Sequence, residues 1–145
     1  MKALIQRVRS ASVTVDGETV GDIDRGLLVF LGVEKPDTQI IAQKLLNKIL
    51  RYRIFNDPAG HMNRDIAQIG GSLLIVSQFT LAADTQKGLR PSFSSAMPPT
   101  DAEALYDFFV AEAALVRPVA SGRFGADMQV SLINDGPVTF LLSAD

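Results

Sequence analysis

The chain has 145 residues, 47% of them hydrophobic, and a formal net charge of −2, which is typical of one soluble globular domain spanning residues 1–145. It has no cysteine and one histidine, His61, so disulfides, thiolate-bound zinc and two-histidine sites are excluded, and we expect no metal and no cofactor. No apolar run approaches the roughly 20 residues of a membrane span, no signal peptide is evident, and the charge does not suit a protein that coats nucleic-acid phosphates. We therefore expect a cytoplasmic protein that binds neither membrane nor DNA, although binding to an end of a nucleic acid stays open.

The N-terminal third predicts three strands. Met1 to Val15 is rich in β-branched residues, and its apolar alternation changes register, so we predict a long strand with a bend or bulge. Asp16-Gly17 predicts a tight turn that returns Glu18 to Ile23 as the second strand of a hairpin. Leu27 to Val33 is apolar on both faces and predicts a buried central strand.

The first predicted helix begins at Pro36-Asp37-Thr38 and runs to about Arg51 with one apolar stripe. Its other face carries Lys44, Lys48 and Arg51, and no acidic residue lies between Thr38 and Asn56. Two interpretations stay open for this basic face. It is either a solvated helix surface, which is common, or a contact to the phosphates of an RNA.

The remaining chain predicts more strands, a long loop and a second helix. Ser72 to Phe79 predicts a second buried strand, and residues 82–99 predict a loop of a length that is usually functional or disordered. Thr100 and Glu103 predict a capping box for a helix that runs to about Val116. Further predicted strands are Tyr52 to Phe55, Val119 to Ser121, Met128 to Ile133 and Val138 to Leu142.

This order of elements limits the architecture. Two helices cannot cover both faces of so many strands. We therefore predict an α/β fold with three α/β/β layers, in which two packed sheets carry the two helices on one outer face.

Asn134-Asp135-Gly136-Pro137-Val138-Thr139 interrupts two strand-like runs with a proline, which removes a donor from a strand ladder. A cis bond is accessible here because X-Pro bonds lose most of the usual trans preference. Gly136 has no Cβ, so its main chain can approach a ligand closely. The segment predicts a rigid turn that presents bare backbone, and we expect it to act with Ser77-Gln78-Phe79-Thr80-Leu81.

The side-chain chemistry on offer is sparse. Ser77 and Thr80 lie at the C-terminal end of a predicted buried strand, but a hydroxyl nucleophile needs a base, and His61 is in an unrelated turn. No carboxylate pair, phosphate-binding loop or cluster of metal ligands is present. Backbone N–H groups can still stabilise an oxyanion, and an activated ester would suit such a site. The alternative is that both motifs are structural.

At these two motifs the chain closely resembles the D-aminoacyl-tRNA deacylase family. Ser77-Gln78-Phe79-Thr80-Leu81 matches one family signature, and Asn134-Asp135-Gly136-Pro137-Val138-Thr139 matches the other. Two signatures at the right separation with collinear flanks make the resemblance specific, and it covers the whole chain. Other segments similar to the family are Leu4 to Val8, Arg90 to Phe93 and Ala126 to Leu132.

The resemblance implies a homodimer with an α/β/β fold and two active sites at the subunit interface. It implies an ester hydrolase that removes a D-amino acid, or glycine, from the 3′ end of tRNA, so the expected partner is aminoacylated tRNA. By the same resemblance, Gly136-Pro137 would be a cis turn inserted into the partner subunit's site. A rigid main-chain wall there would exclude L side chains, since a steric penalty separates near-identical competitors.

The resemblance also assigns roles to residues. Ser77, Gln78, Phe79 and Thr80 would form the catalytic site, with the Phe79 N–H as oxyanion donor and Thr80 as a positioning group beside a water assisted by the ribose 2′-hydroxyl. Supporting or substrate-binding roles would fall to Arg7, Phe124, Met128, Asn134 and Thr139. Lys44, Lys48 and Arg51 are the possible tRNA contacts.

Two other functions remain as alternatives. One is an esterase for another small ester, with Thr80 or Ser77 as the nucleophile. The other is a non-enzymatic dimeric binding module in which both signatures serve packing.

Overall fold

The computed structural model describes residues 1–145. Eight strands, two α-helices and one 3₁₀ turn make up the regular structure. The strands are β1 Lys2–Val15, β2 Glu18–Ile23, β3 Gly26–Gly32, β4 Phe55–Asn56, β5 Met62–Arg64, β6 Ser72–Ser77, β7 Val119–Ser121 and β8 Gln129–Ser143. The helices are α1 Gln39–Arg51 and α2 Pro99–Ala114, and the 3₁₀ turn is Phe79–Ala82.

The β1–β2 hairpin and α1 form as local sequence signals predict. Asp16 and Gly17 both have positive φ angles, 49° and 79°, as a tight hairpin turn requires. The register of the β1–β2 pair shifts between Val13 and Thr14, which confirms the predicted irregularity. Thr38 caps α1, because its side chain accepts a hydrogen bond from the Ile41 N–H at 3.3 Å.

One bent sheet supplies both β layers. β1 pairs with β3 over residues 2–8 and with β2 over residues 11–15, while β8 follows its other edge. Parallel pairing then adds β6 to β3 and β7 to β6. Because β1 passes from one layer to the other, the two β layers remain one hydrogen-bonded sheet.

Alternate side chains of β3 and β6 lie on opposite faces of the sheet and pack into two different apolar cores. Leu27, Val29 and Ile75 face α1 and α2 in the larger core. Leu28 and Leu74 face the second β layer in a smaller core that contains no helix residue. Both helices therefore lie on one outer face, and the predicted three-layer α/β/β architecture is confirmed.

The structure corrects four local predictions. The strand predicted at Tyr52 to Phe55 is replaced by the two-residue strand β4, which pairs with β5. The strand predicted at Ser72 to Phe79 ends at Ser77, and Phe79 lies in the 3₁₀ turn. The capping box is wrong, because α2 begins at Pro99 without a side-chain cap and so places Thr100 inside the first turn. The segment Asn134 to Thr139 does not reverse the chain but is a bulge within the continuous strand β8.

None of the helices has the length and apolar character that crossing a membrane would require.

Candidate active site

The first signature follows the C-terminal end of β6. The Gln78 N–H donates to the Leu31 carbonyl at 2.8 Å, and this bond keeps the chain against the end of β3. The 3₁₀ turn begins at the next residue, with the Leu81 N–H donating to the Gln78 carbonyl at 3.1 Å. A strand end therefore changes directly into a tight turn at Ser77-Gln78-Phe79.

Two amides at this junction are not hydrogen-bonded to the rest of the chain. The N–H groups of Phe79 and Thr80 have no acceptor within the chain, as is usual for the first donors of a helical turn. The Gln78 side chain contacts the Thr80 hydroxyl, with its amide nitrogen donating to Oγ1. The junction thus offers free main-chain donors beside two neutral polar side chains.

A cavity of about 610 Å³ opens beside this junction. Its walls come from the ends of β3 and β6, the start of α2 and two loop segments, and they are mostly apolar. The predicted site residues that line it are Ser77, Gln78, Phe79, Phe124 and Met128. The structure therefore brings three residues of the first signature together with the two residues expected near the terminal adenosine, whereas Thr80 is exposed and does not line the cavity.

Aromatic pairs shape the cavity. At one end, Phe79 and Phe93 lie with ring centroids 5.2 Å apart, and Phe79 is 58% exposed. At the other, Phe124 packs on Tyr106 at 5.9 Å. The Tyr106 hydroxyl donates to the Ile75 carbonyl at 2.8 Å, and burial raises the pKa of this phenol to about 12. Tyr106 is therefore a neutral, anchored support behind Phe124.

Ionisable groups are nearly absent from the cavity. Asp127 is the sole ionisable residue in its lining, and its side chain is exposed. His61 lies in the exposed β4–β5 loop, where its N–H donates to the Asp57 carboxylate at 3.0 Å. Asn63 and His61 hold the pKa of Asp57 below its ordinary value through hydrogen bonds. The cavity therefore contains no histidine that could activate a hydroxyl.

The second signature forms the bulge in β8, and Gly136-Pro137 is a cis peptide bond. Gln6 pairs with Thr139 and Val8 with Asn134, so four residues of β8 stand opposite Arg7 alone. Gly136 has no room for a side chain, because an added Cβ would collide with the Asn134 side chain. Gly136 and Pro137 themselves are exposed, so the bulge projects bare main chain outward.

Two side chains hold this bulge. The Asn134 amide donates to the carbonyls of Arg7 and Val138, both at 3.2 Å, and so spans the bulge at its base. The guanidinium of Arg7, which is 9% exposed, donates to the Asp135 carbonyl at 2.8 Å and to the Ile54 carbonyl at 2.7 Å. Thr139 is exposed and takes part through its strand pairing with Gln6.

The two signatures are not adjacent within one chain. On β3, Leu27 stands opposite Arg7 and Leu31 opposite Ser77, four residues further on. That offset is about 13 Å along the strands, and the three strand spacings from β8 to β6 add about 14 Å across the sheet. Accordingly, neither Gly136 nor Pro137 lines the cavity.

The basic face of α1 lies apart from the cavity. Lys44, Lys48 and Arg51 are exposed, and Lys44 Nζ donates to the Asp145 carbonyl at 3.0 Å. No residue of α1 lines the cavity.

Sequence reasoning did not identify several residues that shape the site. Phe93 and Tyr106 provide its aromatic supports. A Cβ on Gly32 would lie 2.8 Å from the Leu81 Cβ, and one on Gly122 would lie 2.7 Å from Met128 Sδ. The one available signal was Phe93 in the long loop, because the other contacts depend on long-range packing.

Fold and site together define a small three-layer α/β protein with an apolar pocket, main-chain donors and a projecting cis Gly-Pro bulge. Over residues 4–143 the chain matches the family model described as D-Tyr-tRNA(Tyr) deacylase. It is 65% identical over 145 residues to the D-aminoacyl-tRNA deacylase of Stutzerimonas stutzeri (strain A1501), covering 99% of this chain and 100% of that relative. The chain thus belongs to the D-aminoacyl-tRNA deacylase family.

Solved structures share the same fold. One described as "c-Myc DNA Unwinding Element Binding Protein" has a TM-score of 0.95 and 43% identity, covering 100% of this chain and 99% of its own. Another, described as "Structural Analysis of a probable eukaryotic D-amino acid tRNA deacylase", has a TM-score of 0.83 and 20% identity, with 97% of each chain covered. At that identity the second structure supports the fold alone.

Proposed function

We propose that this chain hydrolyses the ester bond that joins a D-amino acid, or glycine, to the 3′ end of tRNA, releasing the free amino acid and tRNA. The observation that carries the proposal is the pocket of a family member in which the free Phe79 amide stands beside Ser77 and Gln78, with no histidine and with the exposed Asp127 as the sole ionisable residue. An ester needs less activation than an amide, so a pocket of oriented main-chain donors is sufficient chemistry.

In the proposed reaction, water attacks the carbonyl carbon of the ester. The Phe79 N–H stabilises the negative charge that develops on the carbonyl oxygen. The C–O bond to the terminal ribose then breaks, and the 3′-oxygen takes up a proton. The neighbouring ribose 2′-hydroxyl assists the water and relays its proton to the 3′-oxygen, because the cavity contains no histidine and its one carboxylate, Asp127, is exposed to solvent.

Thr80 positions these groups rather than attacking the ester. Its hydroxyl contacts the Gln78 amide, and a carboxamide in either orientation is no proton acceptor of useful basicity. Thr80→Ala should therefore lower turnover without changing the mechanism. Abolished turnover in this variant, together with an acyl-enzyme trapped from the unaltered protein, would instead establish a threonine-nucleophile esterase.

The direct test is hydrolysis of paired D- and L-tyrosyl-tRNA by the purified protein. We expect rapid loss of the D-ester and persistence of the L-ester. D-tyrosyl-tRNA that stays intact at micromolar enzyme would contradict the proposal and favour the binding-module alternative.

In the same proposal, Gly136-Pro137 rejects L-amino acids in the active site of a partner subunit. Its support is the distance of the exposed bulge from its own cavity, together with the rigid hold that Arg7 and Asn134 exert on it. A main-chain wall cannot rotate aside as a side chain can, so it suits discrimination between mirror-image substrates.

Subunit mixing tests this arrangement. Pro137→Ala alters the bulge and should let L-tyrosyl-tRNA be hydrolysed, whereas Ala126→Trp fills the cavity and should abolish hydrolysis of both esters. In a symmetric dimer with contributions across the interface, equal random mixing should halve the L-ester hydrolysis per Pro137→Ala subunit, because half of the open cavities then face an unaltered bulge from the partner. L-ester hydrolysis that stays unchanged per Pro137→Ala subunit, or a fully active monomer, would contradict the proposal.

Phe124 and Met128 contact the terminal adenosine in this proposal, and the basic face of α1 contacts the acceptor stem. The support for the first is their place in the cavity wall, and for the second the exposed cluster of like charges. Lys44→Glu/Lys48→Glu should weaken tRNA binding and its salt dependence. If both are unchanged, the face of α1 is only solvated surface.

A further inference from the structure

The loop between the 3₁₀ turn and α2 has a firm stem and a projecting tip. Asp84 and Ser92 exchange two main-chain hydrogen bonds, at 2.8 Å and 2.9 Å. Closer to α2, the Lys35 N–H donates to the Ser95 carbonyl at 3.0 Å, and the Met97 N–H donates to the Val33 carbonyl at 3.1 Å. Residues 85–91 therefore project from an anchored base.

The tip carries two free cations. Lys87 and Arg90 are exposed, and neither forms an ion pair or a side-chain hydrogen bond within the chain. Of the acids near the loop, Asp84 accepts a hydrogen bond from the Gln86 N–H at 2.9 Å, and Glu34 lies 4.0 Å from Lys2 Nζ. Between the two cations, Leu89 is fully exposed, so nothing in the chain covers the tip.

This loop is also a wall of the cavity. Phe93 and Met97 line the cavity, and Phe93 packs against Phe79 at its mouth. Arg90 precedes Phe93 by three residues, so its backbone lies within about 11 Å of a wall residue. The basic face of α1 has no such connection, because α1 does not reach the cavity.

We propose that Lys87 and Arg90 bind phosphates of the single-stranded RNA that leads to the 3′-terminal nucleotide. The proposal rests on the proposed function, which places that nucleotide in the cavity and its preceding phosphates outside the mouth. Exposed lysine and arginine side chains position an RNA strand through its phosphates without reading its sequence. The loop tip is then an RNA-end contact distinct from α1.

The test compares a substrate that has phosphates with one that has none. Lys87→Gln/Arg90→Gln is assayed on D-tyrosyl-tRNA and on D-tyrosyl-adenosine, with Arg25→Gln/Arg53→Gln as the matched control, because these two exposed cations lie outside the cavity lining and removing them changes the net charge by the same amount. We expect the loop variant to raise KM for the tRNA substrate and to leave D-tyrosyl-adenosine hydrolysis unchanged. Losing two phosphate contacts should reduce the log KM–log salt slope by about 1.4, so the variant's KM disadvantage shrinks about sevenfold between 50 and 200 mM salt.

Equal losses on both substrates would overturn the proposal, since they would mean that the loop only shapes the cavity. An unchanged KM and salt slope for tRNA would overturn it as well. If the unaltered protein hydrolyses neither substrate, the proposed function fails instead. Binding of uncharged tRNA by the same variants then decides the loop proposal, and an affinity equal to that of the unaltered protein would overturn it.

Discussion

Arg7 determines the shape of the β8 bulge from the opposite strand. Its guanidinium donates to the carbonyls of Asp135 and Ile54, which belong to segments far apart in the chain. Hydrogen bonds to a charged donor contribute about 1.5–3 kcal/mol each, more than ordinary ones. One buried side chain, together with Asn134, therefore holds the main chain on which the proposed chirality filter depends.

We predict that Arg7→Met loosens the bulge. Of the two hydrogen bonds that Arg7 donates, the one to the Asp135 carbonyl acts on the bulge. Losing about 1.5 kcal/mol there should lower the ratio of kcat/KM for D- over L-tyrosyl-tRNA by about tenfold. Arg9→Met is the matched control, because Arg9 is 77% exposed and its Nε lies 4.0 Å from the Asp135 carboxylate. Exposed pairs of this kind contribute little. Equal effects of the two substitutions would argue against the bracing role of Arg7.

At the scale of elements, the 3₁₀ turn Phe79–Ala82 is positioned by the end of β3. Gly32 leaves room for this turn to pack, since an added Cβ would lie 2.8 Å from the Leu81 Cβ and 3.2 Å from the Gln78 carbonyl oxygen. The Gln78 carbonyl oxygen is part of the main chain, and the Leu81 Cβ is bonded directly to it. Neither atom can therefore rotate away. The orientation of the Phe79 amide thus depends on a glycine in a neighbouring strand.

Gly32→Ala should displace this turn and, if the Phe79 amide is the oxyanion donor as proposed, lower kcat by at least about tenfold, because such donors are sensitive to small displacements. Gly122→Ala introduces the same methyl group near Met128 Sδ, the flexible part of a side chain that can move. Its effect on kcat should be smaller. Steady-state kinetics and thermal denaturation of both variants separate the site effect from stability, and a larger kcat loss in Gly122→Ala would refute this reasoning.

At the scale of the whole molecule, Tyr106 connects the helical layer to the site. It lies on α2, its hydroxyl bonds to the Ile75 carbonyl in β6, and its ring supports Phe124. Burial holds its folded-state pKa at about 12, above the ordinary value near 10. The neutral phenol is therefore part of the packing between layers.

This raised pKa predicts an alkaline loss of stability. Between about pH 10 and 12 the unfolded chain releases the Tyr106 proton while the folded chain keeps it. The free energy of unfolding should thus fall by up to about 1.4 kcal/mol per pH unit from this group, and the contribution is fully present below pH 10. Denaturant unfolding across this range should show the slope in the unaltered protein and a shallower one in Tyr106→Phe. Tyr52→Phe leaves Tyr106 as the one tyrosine, so phenolate absorbance in this variant reports the Tyr106 hydroxyl directly. Deprotonation of that hydroxyl near pH 10 in the folded protein would contradict the prediction.

Much of the fold was predictable because its signals are local. The Asp16-Gly17 turn, the Thr38 cap and the apolar runs of β3 and β6 each act within a few residues. The layer order followed from counting elements and their apolar faces. The capping box failed for a related reason: Pro99 is already a favourable first helical residue, so the helix begins before Thr100.

By itself, the sequence determined the α/β/β class, the two signatures and the shortage of ionisable catalytic groups, because these depend on residue identity and local period. Only the tertiary structure decided that Asn134 to Thr139 is a bulge opposite Arg7 and that Phe93 forms a wall of the cavity. It alone separated the two signatures within one chain. Those features depend on pairings between residues as far apart as β1 and β8, and no local pattern encodes such a register.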